Sequence, residues 1–256
     1  MMIMREEIKF GITVIVIFLI GVGIGSFFER PSVVFEEIGE LNHQNSETAG
    51  IQLKELAESK IKLLAVDTKG NGILTDLSVK AVSGEGRLLV DVDNLLFWVD
   101  TQQSIQTAKS VAEEYLGKKI DNVDLTYTIK VDNSSVVGGP SAGAAFTAAT
   151  IAALQNKTLK KDVVITGTIE SNGSIGAVGG IIPKGEAAKK GGFKIFLVPD
   201  GEKSFVEYRR IEDCENIGSV RICNINYKAV EVNVEEEIGI KVIEVSNIKE
   251  AMNYLL

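Results

Sequence analysis

Residues Phe10 to Phe28 form a run of 19 positions without a charged side chain, and this run divides the chain in two. Its length matches the roughly 20 apolar residues that a helix needs to cross the hydrocarbon core of a bilayer. It has no polar face with which to lie against a soluble core. A cleaved signal peptide is the rival reading, because Arg5 and Lys9 make a basic start. The apolar stretch is longer than the ~7–15 residues of a signal h-region, and no A-x-A cleavage site follows it. Residues 1–30 are therefore read as one transmembrane anchor. Arg5 and Lys9 precede the span, whereas Arg30 is the only basic residue after it before Lys54. The positive-inside rule then places the N-terminus in the cytoplasm and the chain from Glu29 onward outside, a single-pass membrane protein.

Residues 31–60 are polar and read as a stalk or lead-in, with a short helix over Gln52–Ile61. Residues 61–256 carry the globular pattern, enough chain for one domain with a sizeable core. Ile61–Val66 and Leu74–Val82 read as strands around the Asn71-Gly72 turn, followed by a strand at Arg87–Val92. Apolar or small residues at Ile105, Ala108, Val111, Ala112 and Tyr115 predict a helix over Ser104–Leu116. Leu125–Val131 alternates as a strand, and Asp132–Pro140 reads as a loop. Ala142–Leu154 is an alanine-rich helix, Val163–Ile169 a buried strand, and Asn172-Gly173 a hairpin turn into Ser174–Val178. Lys184–Lys190 reads as a helix ended by Gly191-Gly192, Lys194–Val198 as a strand and Val245–Leu255 as the closing helix. Strands and helices interleave with hairpins, so the expected class is α/β (α+β), a mixed sheet with flanking helices.

Charge and composition remove several functions. The 35 acidic residues outnumber the 27 basic ones, for a formal charge of −8, and basic runs are missing, which argues against nucleic acid as a partner. One histidine and two cysteines leave no zinc set and no HExxH motif, so no metal or other cofactor is expected. Cys214 and Cys223 stand nine positions apart. An external domain permits a disulfide between them, and two separate thiols fit the sequence equally well.

The chemistry sits in Gly138-Gly139-Pro140-Ser141-Ala142-Gly143, with Lys184 following 43 positions after the serine. The sole histidine, His43, lies far upstream in the polar stretch, so a Ser-His-Asp triad has no base. A serine hydrolase built from this chain would use a lysine. Lysine removes the serine proton only as a neutral amine, so its pKa of about 10.4 must fall toward ~7–8. Burial among apolar groups does this, and Val178 to Pro183 precede Lys184 without a carboxylate. Pro140 fixes the turn, the glycines admit a substrate backbone, and the amides opening the next helix are candidate oxyanion donors. Alone, a glycine-rich turn with a serine also serves simply to join a strand to a helix. The turn is not a phosphate loop, because no Lys-Ser or Lys-Thr follows its last glycine.

Read with Ile165-Thr166-Gly167-Thr168-Ile169, Asn172-Gly173-Ser174-Ile175-Gly176, Val178-Gly179-Gly180, Lys184, Gly191-Gly192 and Phe196-Leu197-Val198-Pro199, this segment resembles the proteolytic domain of the Lon family. The resemblance covers roughly Ile61–Leu256 and is strongest from Gly138 to Gly201. It implies the α/β fold of a Ser-Lys protease clan, with Ser141 as nucleophile and Lys184 as general base. It also implies Thr166 as the supporting hydroxyl near the amine, and Gly138, Gly139, Pro140 and Ala142 as the oxyanion and substrate loop. Gly138 stands where many Lon proteases have an acidic residue, and Thr168 where bacterial forms often have Glu. No GxxxxGK[ST] is present, so the expectation is an ATP-independent, membrane-anchored serine endopeptidase cleaving unfolded or loosely folded polypeptides. The resemblance further implies a homo-oligomeric ring, a hexamer. Two alternatives remain: an inactive Lon-like scaffold or binding module, and a degradation subunit serving a separate unfoldase.

Overall fold

The structure is a computed structural model that describes residues 57–92, 99–130 and 139–256. The expected anchor, almost all of the stalk and the loop residue Gly138 lie outside these. Among the described residues, no helix is long and apolar enough to cross a membrane.

The chain opens with β1 (Ala57–Val66), β2 (Gly72–Ser83) and β3 (Leu88–Val92), then α1 (Val99–Leu116) and β4 (Val123–Lys130). A 3₁₀ turn (Pro140–Ala142) leads into α2 (Gly143–Leu154). Three short strands follow, β5 (Val163–Ile165), β6 (Thr168–Ile169) and β7 (Ile175–Gly176), and then α3 (Ile181–Lys190) and β8 (Ile195–Pro199). The remainder of the chain holds β9 (Ser204–Ile217), β10 (Val220–Asn233), α4 (Val234–Ile238), β11 (Lys241–Val245) and α5 (Ile248–Leu255). One sheet has the order β1-β2-β4-β3, antiparallel except where β3 runs parallel to β4. A second, wholly parallel sheet has the order β11-β8-β5. This is the mixed α/β architecture expected.

Helix α2 holds the centre. Every residue from Gly143 to Leu154 is buried. Alanines at six of its positions let the backbone approach both the first sheet and α1 closely. Its larger side chains do the anchoring: Phe146 meets Tyr127 edge-on at 6.1 Å, and the Tyr127 hydroxyl and Thr150 Oγ1 share a 2.6 Å hydrogen bond. Burying such a ring is worth about 1.5–3 kcal/mol. A second apolar cluster packs Ile181, Ala187 and Ala188 of α3 with Phe196 and Val198 of β8 and Ile238 of α4.

Two helices start earlier than expected, α1 at Val99 and α3 at Ile181, and three further elements differ. The helix expected over Gln52–Ile61 is displaced by β1, which has begun by Ala57, with Ala57, Ser59 and Ile61 inward and Glu58 and Lys60 outward. That period of two, paired residue for residue with β2, overrides the polar composition. The strand expected over Val163–Ile169 breaks at Thr166-Gly167, because Gly167 adopts φ +151° and the pair turns to bond the serine turn. The closing helix loses its first residues: Val245 ends a parallel strand, and Asn247 caps the helix by accepting from the Glu250 amide.

Candidate active site

Ser141 lies in the middle of the 3₁₀ turn and is half-buried. Its approach is fixed by Gly139, whose φ of +114° disfavours any side chain. Thr101 on α1 clamps this glycine: its hydroxyl accepts from the Gly139 amide at 3.3 Å and lies 3.4 Å from the Gly139 carbonyl. The serine turn is also laced to the break after β5. Gly167 N–H donates to the Ser141 carbonyl at 3.0 Å, and Ala144 N–H donates to the Gly167 carbonyl at 3.0 Å. A side chain on Gly143 would lie 2.8 Å from the Ile169 backbone nitrogen, so the helix must start with a glycine.

This lacing corrects one expectation. The first two amides of α2 are not free donors, because Gly143 N–H is bound to the Pro140 carbonyl and Ala144 N–H to that of Gly167.

Thr166 is 1 % exposed. Its amide continues the β5–β8 ladder by donating to the Leu197 carbonyl, and its hydroxyl donates to the Ser141 carbonyl at 3.3 Å. A hydroxyl that spends its proton this way keeps its lone pairs to accept from an amine.

Lys184 lies in the first turn of α3, its amide bonded to the Gly180 carbonyl at 3.0 Å. Gly180 caps that helix in the left-handed region, at φ +72°. Close packing fixes the turn in place: a Cβ on Gly72, at the start of β2, would fall 1.8 Å from the Pro183 carbonyl oxygen. Topology then decides where the lysine sits. β5 and β8 are parallel neighbours, so the crossover through α3 brings the N-terminus of that helix back to their carboxyl ends. Thr166 follows the end of β5, and Glu202 follows the end of β8. Lys184, Thr166 and, through Thr166, the Ser141 turn thus gather at one edge, where open α/β sheets place their ligands.

Lys184 is 3 % exposed, and its pKa is lowered to about 8, chiefly by burial, with the charge of Glu202 opposing the fall. No carboxylate precedes Lys184 in the adjoining sequence, but the fold brings Glu202 to it from the loop after β8. Glu202 Oε1 accepts from the Val178 amide at 2.8 Å, which ties the loop before α3 to the loop after β8. Its Oε2 is buried without a hydrogen-bond partner. Burial raises the Glu202 pKa, while the Val178 amide and Lys184 act to lower it. Thr101 and Glu202 are the two residues that sequence reasoning missed.

Residues 49–213 match the family described as the Lon protease (S16) C-terminal proteolytic domain, and the chain belongs to that family. Lon protease 2 of Bacillus subtilis is 25 % identical over 197 residues, covering 70 % of this chain and 35 % of that protein. The archaeal Lon protease of Methanocaldococcus jannaschii is 38 % identical over 104 residues, 39 % of this chain and 16 % of its own length. The Lon protease of Dictyoglomus thermophilum is 24 % identical over 242 residues, 91 % of this chain and 28 % of its own. The chain thus spans about a third or less of the length of these relatives, and no ATPase part is evident in it.

Proposed function

We propose that this chain is a serine endopeptidase in which Ser141 is the nucleophile and Lys184 the general base, cleaving unfolded or loosely folded polypeptides without ATP. The observation that carries the reading is a lysine 3 % exposed, with its pKa drawn down to about 8, at the carboxyl edge of the parallel sheet. At pH 7 about one-tenth of such a lysine is neutral. That fraction takes the Ser141 hydroxyl proton as Oγ attacks the scissile carbonyl. The ammonium so formed then protonates the departing amine, leaving an acyl-serine. Water, deprotonated by the same amine, releases the acyl group and restores the hydroxyl. Thr166 orients the lysine lone pair by accepting one of its protons. Gly138, Gly139, Pro140 and Ala142 shape the loop that receives the substrate backbone and the oxyanion.

Residues 1–30 anchor the protein in the membrane and 31–60 form the lead-in, whose last residues, from Ala57, already belong to β1. The catalytic domain stands outside the cytoplasm. The Cys214–Cys223 disulfide supports this placement, because such bonds persist in oxidising compartments. Family membership supports assembly into a homo-oligomeric ring, a hexamer.

The test is cleavage of a reduced, alkylated and so permanently unfolded polypeptide by the purified chain in the absence of nucleotide. Accumulating fragments are expected. A folded chain that produces none, with or without ATP, is an inactive scaffold. In cells that make the protein, alkaline extraction should leave it in the membrane pellet, and protease added outside should cut it before lysis. Release into the supernatant would remove the anchor, and cutting only after lysis would reverse the topology.

A further inference from the structure

β9 and β10 form a two-stranded sheet of their own, 14 residues a side, with no third strand on either edge among the described residues. The Cys214–Cys223 bond crosses directly between paired positions and locks the register. Of the twelve large apolar side chains exposed among the described residues, nine are on this ribbon, with Tyr208 at 70 % and Tyr227 at 67 %. A free two-stranded ribbon is marginal in water, and a long open edge is a template for another strand. The family match stops at residue 213, inside β9, so most of the ribbon lies beyond it.

The charges on β9 indicate what pairs there. Arg209-Arg210-Ile211-Glu212-Asp213 is antisymmetric in charge about Ile211. A second β9 laid antiparallel along the edge, with the two-fold axis at Ile211, sets Arg210 opposite Glu212 and Arg209 opposite Asp213, each twice. The same register sets Phe205 opposite Ile217. Within one copy, Lys228 lies directly across from Arg209, a like-charge pair that the second copy's Asp213 relieves. The register also sets Glu207 opposite Glu215, an adverse pair formed twice, and Glu207 already holds Arg209 at 3.0 Å. Arg210 likewise pairs with Glu212 of its own strand, so these ions exchange partners on association.

We propose that two copies of this chain join through their β9 edges, antiparallel about Ile211, to make one four-stranded sheet with isologous ion pairs. The experiment uses the full chain in detergent under oxidising conditions, with Ile211→Cys introduced so that the two-fold sets residue 211 against itself. A covalent two-chain species is expected. Adding Arg210→Glu or Glu212→Arg should each reduce its yield about tenfold or more, since each turns two attractive pairs repulsive. An equimolar mixture of those two variants should restore it, because the negative position 210 of one copy then meets the positive position 212 of the other. Ile217→Cys, which faces Phe205 across the axis, should not cross-link to itself. Three results overturn the proposal. One is equal cross-linking with and without Arg210→Glu, and another is no rescue in the mixture. The third is a wild-type edge that stays unpaired while Arg210→Glu weakens capture of an unfolded polypeptide, which makes the ribbon a substrate arm.

Discussion

Ser141→Ala and Lys184→Ala are each expected to reduce hydrolysis of an unfolded polypeptide to background, a loss of about 10⁴-fold or more. The double variant should be no worse, because nucleophile and base act as one unit. The lysine variant also carries a stability signature that a bystander would lack. The Lys184 pKa of about 8 lies below its unfolded value of 10.5, so the unfolded chain binds more protons between those two pH values. Burying the ammonium therefore costs the wild type about 3 kcal/mol below pH 8, and the cost disappears as pH rises through that window. Lys184→Met, which keeps the volume and drops the charge, should unfold at a higher temperature than wild type at pH 7. The two should converge above about pH 10. An inactive Lys184→Met variant no more stable than wild type would show that the lysine carries no burial penalty, and the basis for its role as base would be lost.

Glu202→Gln should shift the rising limb of the pH–activity profile to lower pH. The carboxylate acts to raise the Lys184 pKa against the larger effect of burial, so its removal lets the amine deprotonate more readily. Glutamine retains an oxygen for the Val178 amide, so the loop before α3 stays tied. Because only about one-tenth of Lys184 is neutral at pH 7, the gain there is bounded at about tenfold. Activity at pH 10 should be unchanged. Glu202→Ala, by contrast, removes the Val178 bond as well and should lower kcat across the whole pH range. A limb that stays in place or moves to higher pH in Glu202→Gln would mean that Glu202 does not act on the base.

What sequence reasoning reached and what it missed follow from how far each signal extends along the chain. The alanine-rich helix, the Asn172-Gly173 hairpin and the strand before Pro199 are local patterns, and the structure has them with shifts of a few residues at their ends. Ser141 and Lys184 were legible because each sits in a short stretch whose composition is itself unusual. Glu202 was not, since nothing near it in sequence marks it. Only the parallel crossover from β5 through α3 to β8 sets it beside the loop before Lys184. Thr101 reaches Gly139 in the same non-local way, across the packing of α1 on the serine turn. The β9–β10 ribbon escaped for a different reason. Both of its faces are largely exposed, and its apolar alternation comes only in short pieces that change phase, Val220/Ile222, Ile225/Tyr227 and Val230/Val232, so no continuous inward row marks the strands. In β1 the alternation was present, but Glu58 and Lys60 on the outer face hid it within a polar stretch.

The most direct measurement is reaction of the full chain with a serine-directed acylating probe, followed by identification of the modified residue. Modification of Ser141 alone is expected, at a rate that rises with pH through an apparent pKa near 8 and persists in His43→Ala. It should fall to background in Lys184→Ala. Labelling of another residue, or labelling of Ser141 that is indifferent to loss of Lys184, would contradict the Ser-Lys assignment.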